Sequence, residues 1–330
     1  MLSLRENMLL VYHHQTPEFL PLLSDIQRIR SVEPGFKNVL FHGKKAGKEE
    51  VDWFGQNWVY EPMVKAFNPD STNYIIKDIT RWREYVEIPD IEKIDWKARF
   101  DADAVPIDLD RLLEIKDATG IWERAFSMVP IDELLCGLLI EPDACEDLFR
   151  AIADHKIRLH NQYIQYYHPD VICMHDDYGH GNGLFMSPDT WRELIKPHLK
   201  RVIDNITSQG VMYEHHCCGY MAPLAEEISD MGASSWNMVH VVNDVLNCKQ
   251  KLGHKLAFIG GVCDGQLFDK DSTTEEQMCA HVREMARKML PGPGTVMAVG
   301  CILHPERNKI FSDEMLTYGQ QFFRSKRPRI

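Results

Sequence analysis

The sequence predicts an α/β protein, a (β/α)8 TIM barrel with an elaborated N-terminal region. From about residue 130 onward, short apolar runs typical of buried strands alternate with helical patterns, which indicates βαβ units and parallel strand pairing. Five strand–helix steps lie in the second half of the chain, so the N-terminal part is expected to supply the remaining strands. A length of 330 residues suits one barrel with insertions.

The elements follow one another in a regular order after an irregular start. Residues 1–110 predict an N-terminal extension with lid-like segments packed on the barrel, and residues 1–330 are expected to form a single domain. A helical stretch over 131–167 leads to the strand pattern HPDVICMHDDYG at 168–179. The later strand patterns are GVMYEHHCCG, SSWNMVH, KLAFIGGVCD and TVMAVGCIL. A doubly wound open sheet is the competing architecture, but the chain lacks the GxGxxG phosphate turn that favours it.

Charge and composition exclude several classes of function. The 37 Lys and Arg residues stand against 49 Asp and Glu, and the net charge of −12 disfavours nucleic acids and anionic membrane surfaces as partners. The sequence shows neither a signal-peptide core nor a run of about 18 apolar residues, so a cytoplasmic protein is expected. Nine cysteines in a reducing compartment indicate free thiols or thiolate metal ligands rather than disulfides.

The strand pattern at 210–219 carries the clearest chemical signal. Side chains alternate along a strand, so Glu214, His216 and Cys218 are expected on one face. Carboxylate oxygen, imidazole nitrogen and thiolate sulfur are all zinc ligands. Burying Glu214 without a cation would cost several kcal/mol. These residues therefore predict a metal site, with ordinary packing at a partly exposed strand end as the alternative.

A fourth ligand has to come from another strand. Cys301 is the first candidate, because the pattern that contains it ends a strand at the same rim of a parallel barrel. Cys263 and Cys173 also lie on strand patterns and compete with it. Active sites of such barrels lie at the C-terminal rim, so a metal there is expected to be catalytic.

A second polar cluster follows the preceding strand. His175, Asp176, Asp177 and Tyr178 are expected at the same rim, where the two acids have three open roles. They could bind substrate, orient a metal-bound histidine, or cap the start of a helix. Further candidates for substrate contact complete the ring at this rim: Trp236, Asn237 and Asp264.

These motifs resemble the uroporphyrinogen decarboxylase superfamily, especially its zinc-dependent, corrinoid-linked methyltransferase branch. The resemblance runs from about residue 120 onward through DDYG, SPDTWRELIKPHLKRVIDNITSQG, HHCCGYMAPLAEEISDMGASSWN and KLGHKLAFIGGVCDG. In that branch a His-x-Cys pair on one strand and a cysteine after a late strand bind zinc, and His216, Cys218 and Cys301 match them. True decarboxylases of the superfamily carry an arginine-rich N-terminal segment and no zinc motif, so the resemblance makes decarboxylation the less favoured activity.

Two reactions are familiar within that branch. Some members transfer a methyl group from a methylated corrinoid protein to a thiol such as coenzyme M, and others transfer it from a methoxylated aromatic compound to the Co(I) of a corrinoid protein. The tryptophan-rich N-terminal region and the Glu-x-His-x-Cys pattern look closer to the second group, the methyltransferase I components of O-demethylase systems. The resemblance implies zinc, a small-molecule methyl donor and a corrinoid protein as partner. The sequence leaves a homodimer open.

Overall fold

A curled, all-parallel sheet forms the centre of the molecule. The computed structural model describes residues 2–30, 33, 49–61, 66–103, 106–296 and 304–326. Seven strands of the sheet fall within these residues and lie in the spatial order β1-β5-β6-β9-β10-β11-β12. They are β1 (Ile26–Arg30), β5 (Leu112–Asp117), β6 (Val171–His175), β9 (Met212–His216), β10 (Ala233–Val239), β11 (Ala257–Gly260) and β12 (Thr295–Val296). All their pairings are parallel.

Two small antiparallel sheets lie outside the barrel sheet. One joins β2 (Glu49–Val51), β3 (Asn57–Glu61) and β4 (Ala66–Pro69), and the other is the hairpin of β7 (Gly179–His180) and β8 (Gly183–Leu184). The hairpin follows β6 and so stands at the C-terminal rim. Gly179 has no room for a side chain there, because an added Cβ would lie 2.0 Å from the carbonyl oxygen of Tyr220.

Helices alternate with the barrel strands and cover their outer face. They are α1 (Leu4–Tyr12), α2 (Trp96–Asp103), α3 (Ile121–Met128), α4 (Ile131–Ile140), α5 (Pro142–Tyr167), α6 (Pro188–Leu194), α7 (Lys196–Thr207), α8 (Ala222–Asp230), α9 (Val245–Leu252), α10 (Gly265–Asp269), α11 (Glu275–Met289) and α12 (Pro305–Lys326). Leu113 and Ile115 of β5 pack outward with Leu159 and Tyr163 of α5. Within the described ranges, no helix is long and apolar enough to cross a bilayer.

The first helix closes the N-terminal end of the barrel. A capping box between Ser3 and Glu6 begins α1. Its apolar face then packs with residues from β1, β5, β6 and β11 in one cluster, which shows that the sheet curls around a common interior. The buried members of that cluster are Met8, Val11, Tyr12, Ile26, Leu112, Val171, Ala257 and Ile259. Apolar packing therefore fills this end of the barrel.

A buried ion network joins the N-terminal region to the barrel. Lys156 of α5 lies 2.7 Å from Glu33 and 2.6 Å from Asp117, which ends β5. Arg124 of α3 lies 2.5 Å from Asp52 and 3.4 Å from Glu33. All five side chains are fully buried. Glu33 and Asp52 are therefore held to the outside of the barrel by buried charge pairs.

Candidate functional site

The candidate site lies where β6, β9 and β10 reach the C-terminal rim. His175 is the last residue of β6, and it pairs in register with His216, the last residue of β9. His216 in turn pairs with Asn237 of β10. The same strand register therefore brings three predicted site residues side by side.

Imidazole, thiol and carboxylate groups meet at this rim. The rings of His175 and His216 are stacked with centroids 3.3 Å apart. His175, Asp177 and His216 form a histidine group, in which the donor atoms all lie within 4.8 Å of one another. Nε2 of His216 is 3.3 Å from the sulfur of Cys218, and the backbone N–H of Cys218 donates to Asp177 at 2.6 Å. Asp177 thus fixes the loop that presents Cys218 to His216.

Burial sets the charge of these groups. It lowers the pKa of His175 to about 3, with a further contribution from the positive charge of Lys116, and it lowers the pKa of His216 well below the usual range. Both rings are therefore neutral near pH 7. Burial and the nearby carboxylate of Glu123 raise the pKa of Asp177 to about 7. Neutral imidazoles are the form that binds a metal ion.

Asp176 points away from this group. Its carboxylate accepts hydrogen bonds from the backbone N–H groups of Ile121 and Glu123 at the start of α3, and from the hydroxyl of Tyr178. Gly120 makes this approach possible, because an added Cβ would lie 2.5 Å from the Asp176 carboxyl carbon. Of the three roles left open by the sequence, the contacts of Asp176 are those of a helix cap, and Tyr178 is fully buried beside it.

Glu214 lies deeper in the barrel than His216. Its carboxylate is fully buried and accepts hydrogen bonds from the side chains of Tyr12, Ser235 and Asn237. It forms a second potential ligand group with Glu114 and Cys173, and that group shares no residue with the histidine group. The structure therefore separates Glu214 from His216 and Cys218, which the sequence had placed in one set of ligands, and assigns Cys173 to the deeper group.

The remaining substrate-binding candidates differ in exposure. Trp236 is fully buried, and its indole N–H donates to the carbonyl of Cys217. Asp264 caps α10 by accepting from the backbone N–H of Leu267. It also lines a cavity of about 400 Å³ at the ends of β10 and β11. Other lining residues are Asn182, His240, Cys263 and Gln266.

Cys301, the predicted distant ligand, lies outside the described residues. Two residues near the histidine group were not singled out from the sequence. Glu123 accepts from the backbone N–H of Asp177 at 3.1 Å, and Lys116 stands on the inward face of β5. The usable signal for Lys116 was the alternation in LLEIKD, which sets Glu114 and Lys116 on one face of the strand.

Comparisons with known proteins agree with this architecture. The family model of uroporphyrinogen decarboxylase matches residues 65–309. The structure of a methyltransferase from Methanosarcina mazei matches with a TM-score of 0.68 at 14% sequence identity, covering 98% of this chain and 100% of that one. That match confirms the predicted TIM-barrel-like fold.

Two other comparisons add little. A sugar phosphate isomerase/epimerase from Parabacteroides distasonis reaches a TM-score of only 0.30 at 9% identity, over 69% of this chain and 76% of that one. A search of curated protein sequences found no match. The family model, in contrast, covers well over half of the chain. The chain therefore belongs to the uroporphyrinogen decarboxylase family.

Proposed function

We propose that this protein is a zinc-dependent methyltransferase that transfers a methyl group from a methoxylated aromatic compound to the Co(I) of a corrinoid carried by a partner protein. The observation that carries the proposal is the pairing of His216 with Cys218 at 3.3 Å on the C-terminal rim, beside His175 and Asp177. The overall likeness to a solved methyltransferase supports the same reaction class.

The donor set suits zinc. His216 and Cys218 offer the nitrogen and sulfur that zinc prefers, and Asp177 or His175 adds a further donor within reach. The imidazoles are neutral, as metal ligands must be. Cys301 is proposed as the distant ligand on the sequence motif alone. When bound, zinc supplies Lewis-acid polarisation of the ether oxygen, which makes the phenolate a better leaving group.

The chain's own residues orient the reacting groups. Asp177 holds the loop of Cys218, and Glu123 in turn holds the backbone of Asp177. Glu214 accepts from the side chain of Asn237, which is next to His216 in register. We propose that Glu214, which lies deeper in the barrel, acts on the site indirectly through Asn237. We also propose that the cavity lined by Asp264 admits the methyl donor. Such fixed positioning lowers the entropic part of the barrier.

The first test is metal content. Wild-type protein is expected to hold about one zinc per chain, and His216→Gln, Cys218→Ser and Cys301→Ser are each expected to lose most of it. Cys136→Ser is a matched control, because Cys136 is an exposed thiol on α4. Thermal unfolding of each variant shows whether the fold is retained. Folded wild-type protein that binds no zinc would contradict the proposal.

The second test is the direction of transfer. With a methoxylated aromatic compound and a Co(I) corrinoid protein, zinc-loaded wild type is expected to form the methylated corrinoid. A methyl-to-thiol enzyme would instead demethylate a methylated corrinoid rapidly when a small thiol is added. Rapid thiol methylation without demethylation of the aromatic ether would replace the proposed reaction by that alternative.

A further inference from the structure

One lysine at the barrel mouth has no assigned role in the proposed reaction. Lys116 lies on β5, two residues after Glu114 and on the same face. Glu114 groups with Cys173 inside the barrel, and His175 stands two residues after Cys173 on the neighbouring strand. Lys116 pairs in register with Cys173, and His175 is the next residue of β6 on that face, so Lys116 and His175 are diagonal neighbours on the inner face of the barrel.

The Lys116 ammonium is an unusual cation for this setting. The side chain is partly buried, yet its ammonium forms neither a hydrogen bond nor an ion pair within the described ranges. Arg124 and Lys156, the two buried cations of the ion network on the outer face of the barrel, behave differently. Each contacts two carboxylates. Burial is the main cause that lowers the pKa of His175 and His216, and the positive charge of Lys116 is a smaller one. Its charge therefore acts on the site, and no described residue neutralises it through a hydrogen bond or an ion pair.

Demethylation of an aryl methyl ether creates an anionic oxygen. The oxygen–methyl bond breaks, and its electron pair remains on the oxygen, which becomes a phenolate. The methyl carbon forms its new bond with an electron pair supplied by the Co(I) acceptor, so charge and electrons balance without a proton. A preorganised cation near that oxygen stabilises the transition state, because negative charge develops there.

We infer that Lys116 is a substrate-binding residue whose ammonium receives the anionic oxygen of the aromatic product. The inference rests on the proposed function, and it assigns the leaving-group oxygen to the side of the mouth formed by β5 and β6. An ammonium without a fixed partner can turn toward an incoming oxyanion, and a charge-assisted hydrogen bond to it is stronger than a neutral one.

The test measures the ionisation of a bound phenol rather than turnover. 4-Nitrophenol is titrated into wild-type protein, and the absorbance of its phenolate form gives the pKa of the bound probe. We expect this pKa to be about one unit higher in Lys116→Met than in wild type, a tenfold change in the proton dissociation constant. Lys116→Arg keeps the charge and is expected to stay near the wild-type value. Zinc-depleted samples of each protein are expected to show the same difference in probe pKa, because the lysine and not the metal causes it.

Controls separate this role from a structural one. Lys97→Met removes an exposed positive charge on α2 and is expected to leave the probe unchanged. Thermal unfolding checks each variant, and Lys116→Gln replaces Lys116→Met if the latter does not fold. Equal probe pKa values in wild type and the folded neutral variant overturn the inference, as does failure of wild type to bind the probe. If the probe shift is present but no donor is demethylated, the proposed function fails while the anion site stands.

Discussion

Removal of Lys156 tests the buried ion network most directly. Its ammonium lies between Glu33 and Asp117, at 2.7 and 2.6 Å, and all three side chains are fully buried. Burial alone would raise the pKa of Asp117, but the charge of Lys156 and the hydrogen bond with His160 hold that pKa well below its usual range. Lys156→Met leaves two carboxylates that have lost a common cation. Loss of one partner of a buried pair costs roughly 3–5 kcal/mol, so we expect a decrease of that size in the free energy of unfolding.

The same change can be expressed as a melting temperature. With an unfolding entropy of about 2.1 cal/mol/K per residue, the 330-residue chain has about 0.7 kcal/mol/K, so Tm should fall by roughly 4–7 °C. Urea unfolding at pH 7 gives the free energy, and calorimetry gives Tm. Lys97→Met, which breaks an exposed pair with Asp101, should cost less than about 1 kcal/mol. A loss for Lys156→Met as small as that control would refute the view that this network holds the N-terminal region.

Two further predictions concern buried groups. Glu214→Gln should lower the free energy of unfolding by about 1–3 kcal/mol. The carboxylate oxygens now accept hydrogen bonds from Tyr12, Ser235 and Asn237, and the amide nitrogen of a glutamine would face some of these donors without being able to accept from them. Zinc content should stay near the wild-type value, and loss of zinc in the folded variant would make Glu214 a ligand instead. Burial, with the charges of Lys156 and Arg124, holds the pKa of His155 well below its usual range, so this histidine destabilises the folded state as the pH falls below about 6.5. The free energy of unfolding of His155→Phe should therefore rise relative to that of wild type by up to about 1.4 kcal/mol per pH unit as the pH falls from 6.5 to 5. Urea unfolding at several pH values measures both free energies, and a difference between the two proteins that does not change with pH would contradict this.

Local sequence patterns predicted the strands that build the rim. The runs at 168–179, 210–219 and 255–264 contain β6, β9 and β11, the run at 234–240 covers all but the first residue of β10, and β12 begins the run at 295–303. Alternation along β9 also places His216 and Cys218 near each other. Periodicity suffices here because each pattern depends only on neighbours within one strand. Glu214 and His216 share a face of β9 but fall into two different groups of potential ligands, Glu214 with Glu114 and Cys173, and His216 with His175 and Asp177.

The missed residues depend on contacts between distant segments. Lys116 and Glu123 lie between the irregular residues 1–110 and the regular pattern that begins near residue 130, and LLEIKD resembles a strand with one solvent-exposed face. In this barrel that polar face turns inward, where Glu114 meets Cys173. The network around Lys156 joins residues 123 positions apart. No local pattern records such pairs, since only closure of the barrel brings them together.

The polarity of the barrel interior changes along its axis, and this change connects stability with the site. The N-terminal end is apolar and sealed by α1, and Tyr12 at the end of that helix donates to Glu214. Glu214 accepts in turn from Asn237, which stands in register with His216. A buried carboxylate with three donors is fixed in orientation, since each broken hydrogen bond would leave a polar group without water. The seal at the bottom of the barrel therefore supports the geometry at the rim through one chain of hydrogen bonds, and a change in α1 that displaces Tyr12 should loosen Asn237 without touching the histidine group directly.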